Sequence, residues 1–447
     1  GIAQPRFEPL ALNTPISWRY RGQVTPDHKL IQVVLDVTER GQDERGVFAK
    51  ATATLWCDGL KIYDATNIGL RIVPGAPPLF DRAALEQHAT GSITAVLGER
   101  FAPLDAVPCR TRMPAPPFLL LDRVTRIDAT KGQIGRGSIE AEVDLPATSN
   151  FLEAGRMPAS LLLEAAGQAS IFLCSWMGAD LAQPGARRFR ILGLEGITFH
   201  SALPQAGETV RYEVTVEEVL DKIGPLRFLL SYRCYVGGRL CMTTKRATVG
   251  YLTPEQLQQP MGLRWTPAQV PVSKTPHSIV PPATAATEFD ETQLTTLFAA
   301  AALPRMIDAV TDFQPSGGPW GRGYLRARKR VTPEDWYFQA HFKNDPCLPA
   351  ALLGQGGLQS LHFYCAALGL AGEGGQLRLE PITAEQFDYQ GGGQVTPDAR
   401  EIVFEVFIES LQLTQEPTVY AHVLATVDGS QAVFHTRLGM KVLRTAD

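Results

Sequence analysis

No two of the seven cysteines (57, 109, 174, 234, 241, 347 and 365) stand at CxxC spacing. An odd number without such a pair argues against a disulfide framework and against a structural zinc site. A reducing, cytoplasmic setting is the expectation. The opening GIAQPRFEPLALN has no basic region followed by an apolar stretch, so it does not read as a signal peptide. Charge of one sign is lacking too. Lys and Arg number 42 against 46 Asp and Glu, a net charge of −4, which points to neither nucleic acid nor an anionic membrane. One apolar run, 157–178, has about the length that spans a bilayer, but it carries Glu164 and Gln168. Both are costly in lipid, so a buried core helix is expected, without membrane insertion. The GRG triplets at 135–137 and 321–323 lack the Lys-Ser/Thr of a phosphate loop.

What is present is an ordinary globular composition, 45% hydrophobic and 20% charged over 447 residues. That length suits about three domains. The chain repeats itself. WRYRGQVTPD at 18–27 returns as FDYQGGGQVTPD at 387–398, and GQVTPD is identical in both. Each copy continues into period-2 runs, LIQVVLDVTERG and EIVFEVFIES, with Gly and Asp at the turns, as antiparallel hairpins require. Residues 199–252 read as a third, more diverged strand block.

A second repeat precedes two of these blocks. Aligning Ala159 with Ala350 also pairs Phe151 with Phe342 and Gln168 with Gln359. In both copies a helix follows that is apolar nearly all round, and such a helix must be enclosed. A strongly curved antiparallel sheet wrapped around it is the expected solution. The same alignment pairs His341 with Asn150, and Glu164 with Gln355. Each copy thus keeps one titratable group and one neutral amide, swapped between the copies.

The stretch HFKNDPCLPA at 341–350, followed by a long apolar helix, resembles the hotdog-fold 3-hydroxyacyl-carrier-protein dehydratases of the β-hydroxydecanoyl thioester dehydratase type. A GRMPA-type unit ahead of it resembles the dehydratase regions of polyunsaturated fatty acid synthases. The resemblance implies an α+β tandem double hotdog with an N-terminal partial hotdog. The expected boundaries are 1–75 for the partial unit, 76–110 for a linker and 111–255 for a unit with a degenerate motif. A Pro-rich linker at 256–290 then leads to 291–447, the unit with the histidine. In that family the site forms between two hotdog units. Carried over by position, His341 pairs with Glu164 as the catalytic couple, and Asn150 with Gln355 as a degenerate second site.

The reaction implied is loss of water from a 3-hydroxyacyl thioester to give a trans-2-enoyl thioester. His341 would take the C2 proton, and Glu164, with a raised pKa, would serve the departing hydroxyl. The Ala350 N–H at the helix start would face the thioester oxygen. Gln168, Gln359 and Asp345 are expected in supporting roles, and Cys347 as a wall residue. The family pattern has Gly where Ala350 stands. No metal and no cofactor are implied, since the substrate arrives on the phosphopantetheine arm of an acyl carrier protein. No Asp-Ser-Leu-type attachment motif occurs, so the carrier is expected on another domain or subunit of a synthase. The two units can form the pair within one chain, so a monomeric pseudo-dimer or a homodimer fits. An enoyl isomerase, a non-catalytic scaffold that docks carrier proteins, and a hotdog thioesterase are the competing readings.

Overall fold

The computed structural model describes the chain apart from 1–4, 10–14, 44–45, 75–76, 148, 150, 184, 260–262, 298–303, 372–375, 430 and 446–447. At 5–9, 43, 73–74, 296–297, 376, 431 and 445 it describes the backbone alone. The chain divides into two units, Gly1–Pro77 and Pro78–Asp447.

The first unit is a sheet of β1 (Pro5–Pro9), β2 (Ser17–Tyr20), β3 (Ile31–Asp43), β4 (Gly46–Cys57) and β5 (Leu60–Pro74). The order is β1-β5-β4-β3, with β2 also on β5, and all pairs are antiparallel. Register sets Leu35 beside Ala53, Ala53 beside Ala65, and Ala65 beside Trp18. Opposed residues in an antiparallel sheet share a face. That face is apolar, yet Trp18, Tyr20 and Leu35 are 62%, 62% and 59% exposed. No helix occurs among the described residues of this unit.

The second unit opens with α1 (Arg82–Thr90), α2 (Ile93–Leu97) and α3 (Ala102–Asp105). This corrects the expectation of a linker at 76–110. Leu85, Ile93, Leu97 and Phe101 are fully buried, and Phe80 packs edge-on against Phe172 at 4.9 Å. Asp81 and Ser92 cap the first two helices by accepting from the Ala84 and Ala95 N–H groups.

The repeat then runs as β6 (Arg123–Asp128), β7 (Gly137–Asp144), α4 (Ala159–Trp176), β8 (Arg188–Phe199), β9 (Thr209–Leu220), β10 (Arg227–Val236) and β11 (Arg239–Leu252). Two short helices, α5 (Pro254–Gln258) and α6 (Glu291–Leu297), flank the Pro-rich stretch. The second copy follows as β12 (Ala309–Gln314), β13 (Tyr324–Arg330), α7 (Trp336–Ala340), α8 (Ala350–Ala367), β14 (Gln376–Pro381), β15 (Gln386–Gly391), β16 (Glu401–Gln412), β17 (Thr418–Val427) and β18 (Gln431–Thr445). The two copies share one sheet, β12-β13-β16-β17-β18-β15-β8-β11-β10-β9-β7-β6, with β14 on β18. The copies join where β15 pairs with β8, Gln386 beside Thr198. This is the tandem hotdog arrangement: two long helices, each wrapped by its half of a curved antiparallel sheet.

Both helices start directly after a proline and stop on a glycine. Gly178 and Gly369 take positive φ (76° and 75°). Ala179 N–H then donates to Cys174 O and Leu370 N–H to Cys365 O, the bonds of a Schellman stop. The apolar residues of α4 are buried, which rules out a lipid-facing role for 157–178. No helix of the described residues is long and apolar enough to cross a membrane. Each fully buried Leu or Phe here contributes about 1.5–3 kcal/mol. Close approach of sheet to helix needs glycine at Gly356, where a Cβ would overlap the Phe404 ring.

The Pro-rich stretch lies against the outer face of the second copy. Arg322 donates to the Ser273 and Thr275 carbonyls, and Trp265 stacks on His435 (4.4 Å between ring centres) and His422 (5.1 Å).

Candidate active site

One cavity is lined by both His341 and Glu164, together with Cys347, Ala350, Tyr389 and Arg190. His341 comes from the end of α7, Glu164 from the second turn of α4, and Ala350 from the first residue of α8. The cavity therefore draws on both copies of the repeat.

His341 is 8% exposed, and its Nδ1 lies 2.9 Å from the Cys347 carbonyl oxygen. A carbonyl only accepts, so Nδ1 carries the hydrogen and Nε2 keeps its lone pair. Burial, helped by the nearby Arg190 charge, lowers the His341 pKa to about 3. The ring is neutral at working pH. Phe118 holds it edge-on at 6.0 Å.

The loop carrying His341 is anchored by Asp345. Its carboxylate accepts two bonds from Arg190 of β8 (2.7 and 2.8 Å), and Arg188 lies 3.1 Å away. Gln394 accepts from the same guanidinium at 2.8 and 3.0 Å, and the Val395 carbonyl accepts from Leu348 N–H at 2.9 Å. Gln394 and Val395 belong to the repeated GQVTPD, so in this copy the motif holds the histidine loop. Lys343 and Asn344 tie the loop to the Thr90 and Pro108 carbonyls. Cys347 is buried, and burial pushes its thiol up to about 12, so it stays protonated as a wall residue.

Glu164 is 6% exposed, and burial raises its pKa from 4.5 to about 7. Gln168 Nε2 donates to Glu164 Oε1 (3.1 Å) and to the Phe118 carbonyl (2.9 Å), while its Oε1 accepts from Leu120 N–H (2.8 Å). One amide thus ties the carboxyl group to the segment whose Phe118 ring rests on His341. Ala350 is preceded by Pro349, and an α-helix leaves its first N–H groups without intrahelical partners.

At the opposite end of the helix pair, Ser160 Oγ donates to Gln355 Oε1 at 2.8 Å. Gln359 repeats the Gln168 clamp, accepting from Met306 N–H (2.7 Å) and donating to the Pro304 carbonyl (3.0 Å). Asn150 lies outside the described residues. Sequence reasoning missed Arg190, the Cys347 carbonyl and Tyr389. Tyr389 was within reach, as the aromatic residue four places ahead of the repeated GQVTPD. Its counterpart Trp18 is exposed, whereas Tyr389 lines the cavity.

The model of the FabA-like domain matches residues 1–66, 113–245 and 300–436. A polyunsaturated fatty acid synthase polypeptide of Thraustochytrium sp. is 28% identical over 380 residues, 78% of this chain. The chain spans only 25% of that relative's length. Among solved structures, a putative oleoyl thioesterase from Lactobacillus plantarum aligns with a TM-score of 0.42 and 12% identity, over 70% of this chain and 99% of that one. The dehydratase domain from the CurJ module of the curacin polyketide synthase aligns with a TM-score of 0.36 and 12% identity, over 72% and 96%. With its three matched stretches taking in most of the sequence, the chain belongs to the FabA-like domain family.

Proposed function

We propose that this chain dehydrates 3-hydroxyacyl thioesters, delivered on the phosphopantetheine arm of an acyl carrier protein, to trans-2-enoyl thioesters at the single site of His341 and Glu164. The observation that carries the reading is one cavity lined by an oriented neutral histidine and a carboxyl group raised to about 7. The two groups hold the protonation states that the reaction consumes.

His341 Nε2 takes the C2 proton. The electron pair moves toward the thioester carbonyl, whose growing charge is met by the Ala350 N–H and the positive end of α8. The C3–O bond breaks as Glu164 gives its proton to the leaving hydroxyl, and water departs. His341 is left protonated and Glu164 ionised. Returning the His341 proton to Glu164 restores both, so the cycle needs no outside acid or base. A synthase as host, with its carrier protein as partner, is supported by the likeness to the Thraustochytrium synthase.

The test is product analysis with a 3-hydroxyacyl thioester on a carrier protein. Formation of a trans-2-enoyl thioester by the wild type is the expected result. Conversion of a 2-enoyl into a 3-enoyl thioester without water loss would replace the reading with isomerisation. Free acid would replace it with thioester hydrolysis. An inert wild type would leave a docking scaffold.

A further inference from the structure

We infer that the stretch from Thr90 to Ala115 of the first copy is a brace that fixes the His341 loop of the second copy, and that Asn344 is the positioning residue by which the loop engages it. The inference rests on the dehydratase reading only for its kinetic consequence.

The brace is an addition to one copy. Phe80 and Phe289 hold equivalent places. Each forms a bridge to the first strand of its copy, with Val124 and Val310, and each packs edge-on against a helix phenylalanine, Phe172 at 4.9 Å and Phe363 at 4.7 Å. A short helix follows in both, α1 and α6. Further on, Phe118 and Pro304 are equivalent, since their carbonyls accept from Gln168 and Gln359. From Phe80 to Phe118 the chain advances 38 positions, but from Phe289 to Pro304 only 15. The extra length in the first copy holds α2, α3 and the segment up to Ala115. Polar bonds knit it together. Arg112 donates to the His88 and Gly91 carbonyls at the end of α1 (2.9 and 2.6 Å). Arg110 donates to Asp105 (3.0 Å), which accepts from Ile93 N–H (2.8 Å) at the start of α2.

The His341 loop meets this brace at three points. Ala115 N–H donates to the carbonyl of Ala340, the residue before the histidine (2.7 Å). Asn344 Nδ2 donates to the Pro108 carbonyl (2.7 Å), and Lys343 Nζ to the Thr90 carbonyl. The loop itself is closed by paired bonds. Phe342 and Asp345 exchange two backbone bonds, both 3.0 Å. Cys347 N–H donates to the His341 carbonyl (2.8 Å), while the Cys347 carbonyl accepts from the ring. A loop cross-linked in this way moves as a piece, so its outer tethers decide where His341 Nε2 stands relative to Glu164 of the first copy. Asp345, held by Arg190, fixes one flank of that piece, and Asn344 fixes the other. Asparagine suits the place twice over. The backbone there has φ of 62°, a conformation asparagine tolerates, and the side-chain amide reaches outward to the brace.

The matching loop of the first copy lacks these tether residues. By the alignment of Ala159 with Ala350, the equivalents of Lys343, Asn344 and Asp345 are Leu152, Glu153 and Ala154. Leu and Ala carry no hydrogen-bonding group on the side chain, and an ionised Glu has no proton to donate. Brace, tethers and histidine thus occur together at one end of the helix pair. The shorter connection, the changed loop and Asn150 occur together at the other.

The test compares the wild type with Asn344→Gly and Asn344→Asp. Glycine keeps the left-handed backbone and removes the amide, and aspartate keeps the shape but offers an acceptor where a donor is needed. With a 3-hydroxyacyl thioester on a carrier protein, both variants should lower kcat by about tenfold and leave KM within about twofold. The reason is that the tether acts on the group that takes the proton and not on binding. Wild-type kcat in either variant overturns the proposal, as does a loss confined to KM. A second readout does not depend on turnover. In protein labelled with 13C at histidine Cε1, the His341 signal is assigned by its loss in His341→Ala. It carries the ring-current shift of Phe118, which stands edge-on at 6.0 Å. That signal should move in both Asn344 variants. An unmoved signal overturns the proposal, whatever the melting temperature does, because a merely structural Asn344 would change stability alone. An inert wild type would sink the dehydratase reading instead, while the histidine signal still decides whether Asn344 positions the ring.

Discussion

The helices α4 and α8 are built alike and differ at the position proposed to carry the acid. Each is 18 residues long, starts after a proline, ends on a left-handed glycine and uses one glutamine to clamp the segment ahead of its first strands. One turn before that glutamine, α4 carries Glu164 and α8 carries Gln355. Their surroundings differ to match. Gln355 receives a hydroxyl from Ser160, at the start of the opposite helix. The residue equivalent to Ser160 in α8 is Ala351, which has no hydroxyl to offer Glu164. Among the described residues, Glu164 has Gln168 as its hydrogen-bond partner, which leaves its other oxygen for a substrate. The difference between the two ends is thus concerted. At one end a neutral amide accepts from a hydroxyl, and at the other a carboxyl group accepts from an amide.

The sharpest way to break this comparison is to remove the proposed base. His341→Ala should lower kcat for dehydration by about 10³–10⁴-fold, since a positioned general base contributes up to that much. Thermal unfolding checks that the fold survives. A variant within tenfold of wild type would remove His341 from the mechanism.

Glu164→Gln makes the proposed active end resemble the proposed degenerate one. It should cost about 10²–10³-fold in kcat, because the amide cannot deliver the proton. Gln355→Glu is the mirror experiment. It should add no second activity, since the residue equivalent to His341 in the other copy is Asn150 and not a histidine. Comparing the single variants with the double variant tests whether the two ends are independent. Recovery of activity in the double variant would mean that the carboxyl group acts from either helix, against the single-site reading.

The pH profile separates the groups by sign. In the proposed reaction Glu164 must be protonated to act, and its pKa is raised to about 7. Activity should fall as pH rises through about 7, close to tenfold per unit once well above it. The same reaction needs a neutral His341, whose pKa is lowered to about 3, so no acid limb is expected between pH 5 and 7. The same shift has a stability consequence. A carboxyl group whose folded pKa exceeds its unfolded value favours the fold at low pH, and that contribution is lost as pH rises through about 7. Urea midpoints at pH 6 and pH 8 should therefore be closer in Glu164→Gln than in wild type.

Much of this comparison was legible in the residues, for identifiable reasons. The paired anchors around Ala159 and Ala350 gave both helices, and period-2 runs gave the hairpins, because burial imposes those periods directly. The swap of Glu164 and Gln355 was visible in the same alignment. The companion change from Ser160 to Ala351 stood in it too, but its meaning depends on the two helices meeting start against middle, which no local pattern encodes. The orienting partner of His341 is a backbone carbonyl, and a backbone atom leaves no letter in the sequence. Arg190 and Asp345 lie 155 positions apart and meet only because β8 borders the second copy's strands. The helices at 82–105 escaped because each is short, with too few turns for a face to declare itself.

The smallest expected effect tests the least visible part of the pair. Gln168→Leu removes the amide that joins Glu164 to the Phe118 carbonyl, and it leaves that carbonyl and the Leu120 N–H unpaired in the core. Two stranded groups of this kind cost about 1–3 kcal/mol each, so the melting temperature should fall clearly. The equivalent Gln359→Leu should cost about the same stability through Met306 and Pro304. Activity tells them apart. Loss of Gln168 also removes the bond that favours ionised Glu164, so the alkaline limb should move to higher pH while kcat falls about tenfold. Loss of Gln359 should leave the limb in place. If both variants moved it equally, the two helices would be sharing one electrostatic environment, and the division between a chemical end and a passive end would fail.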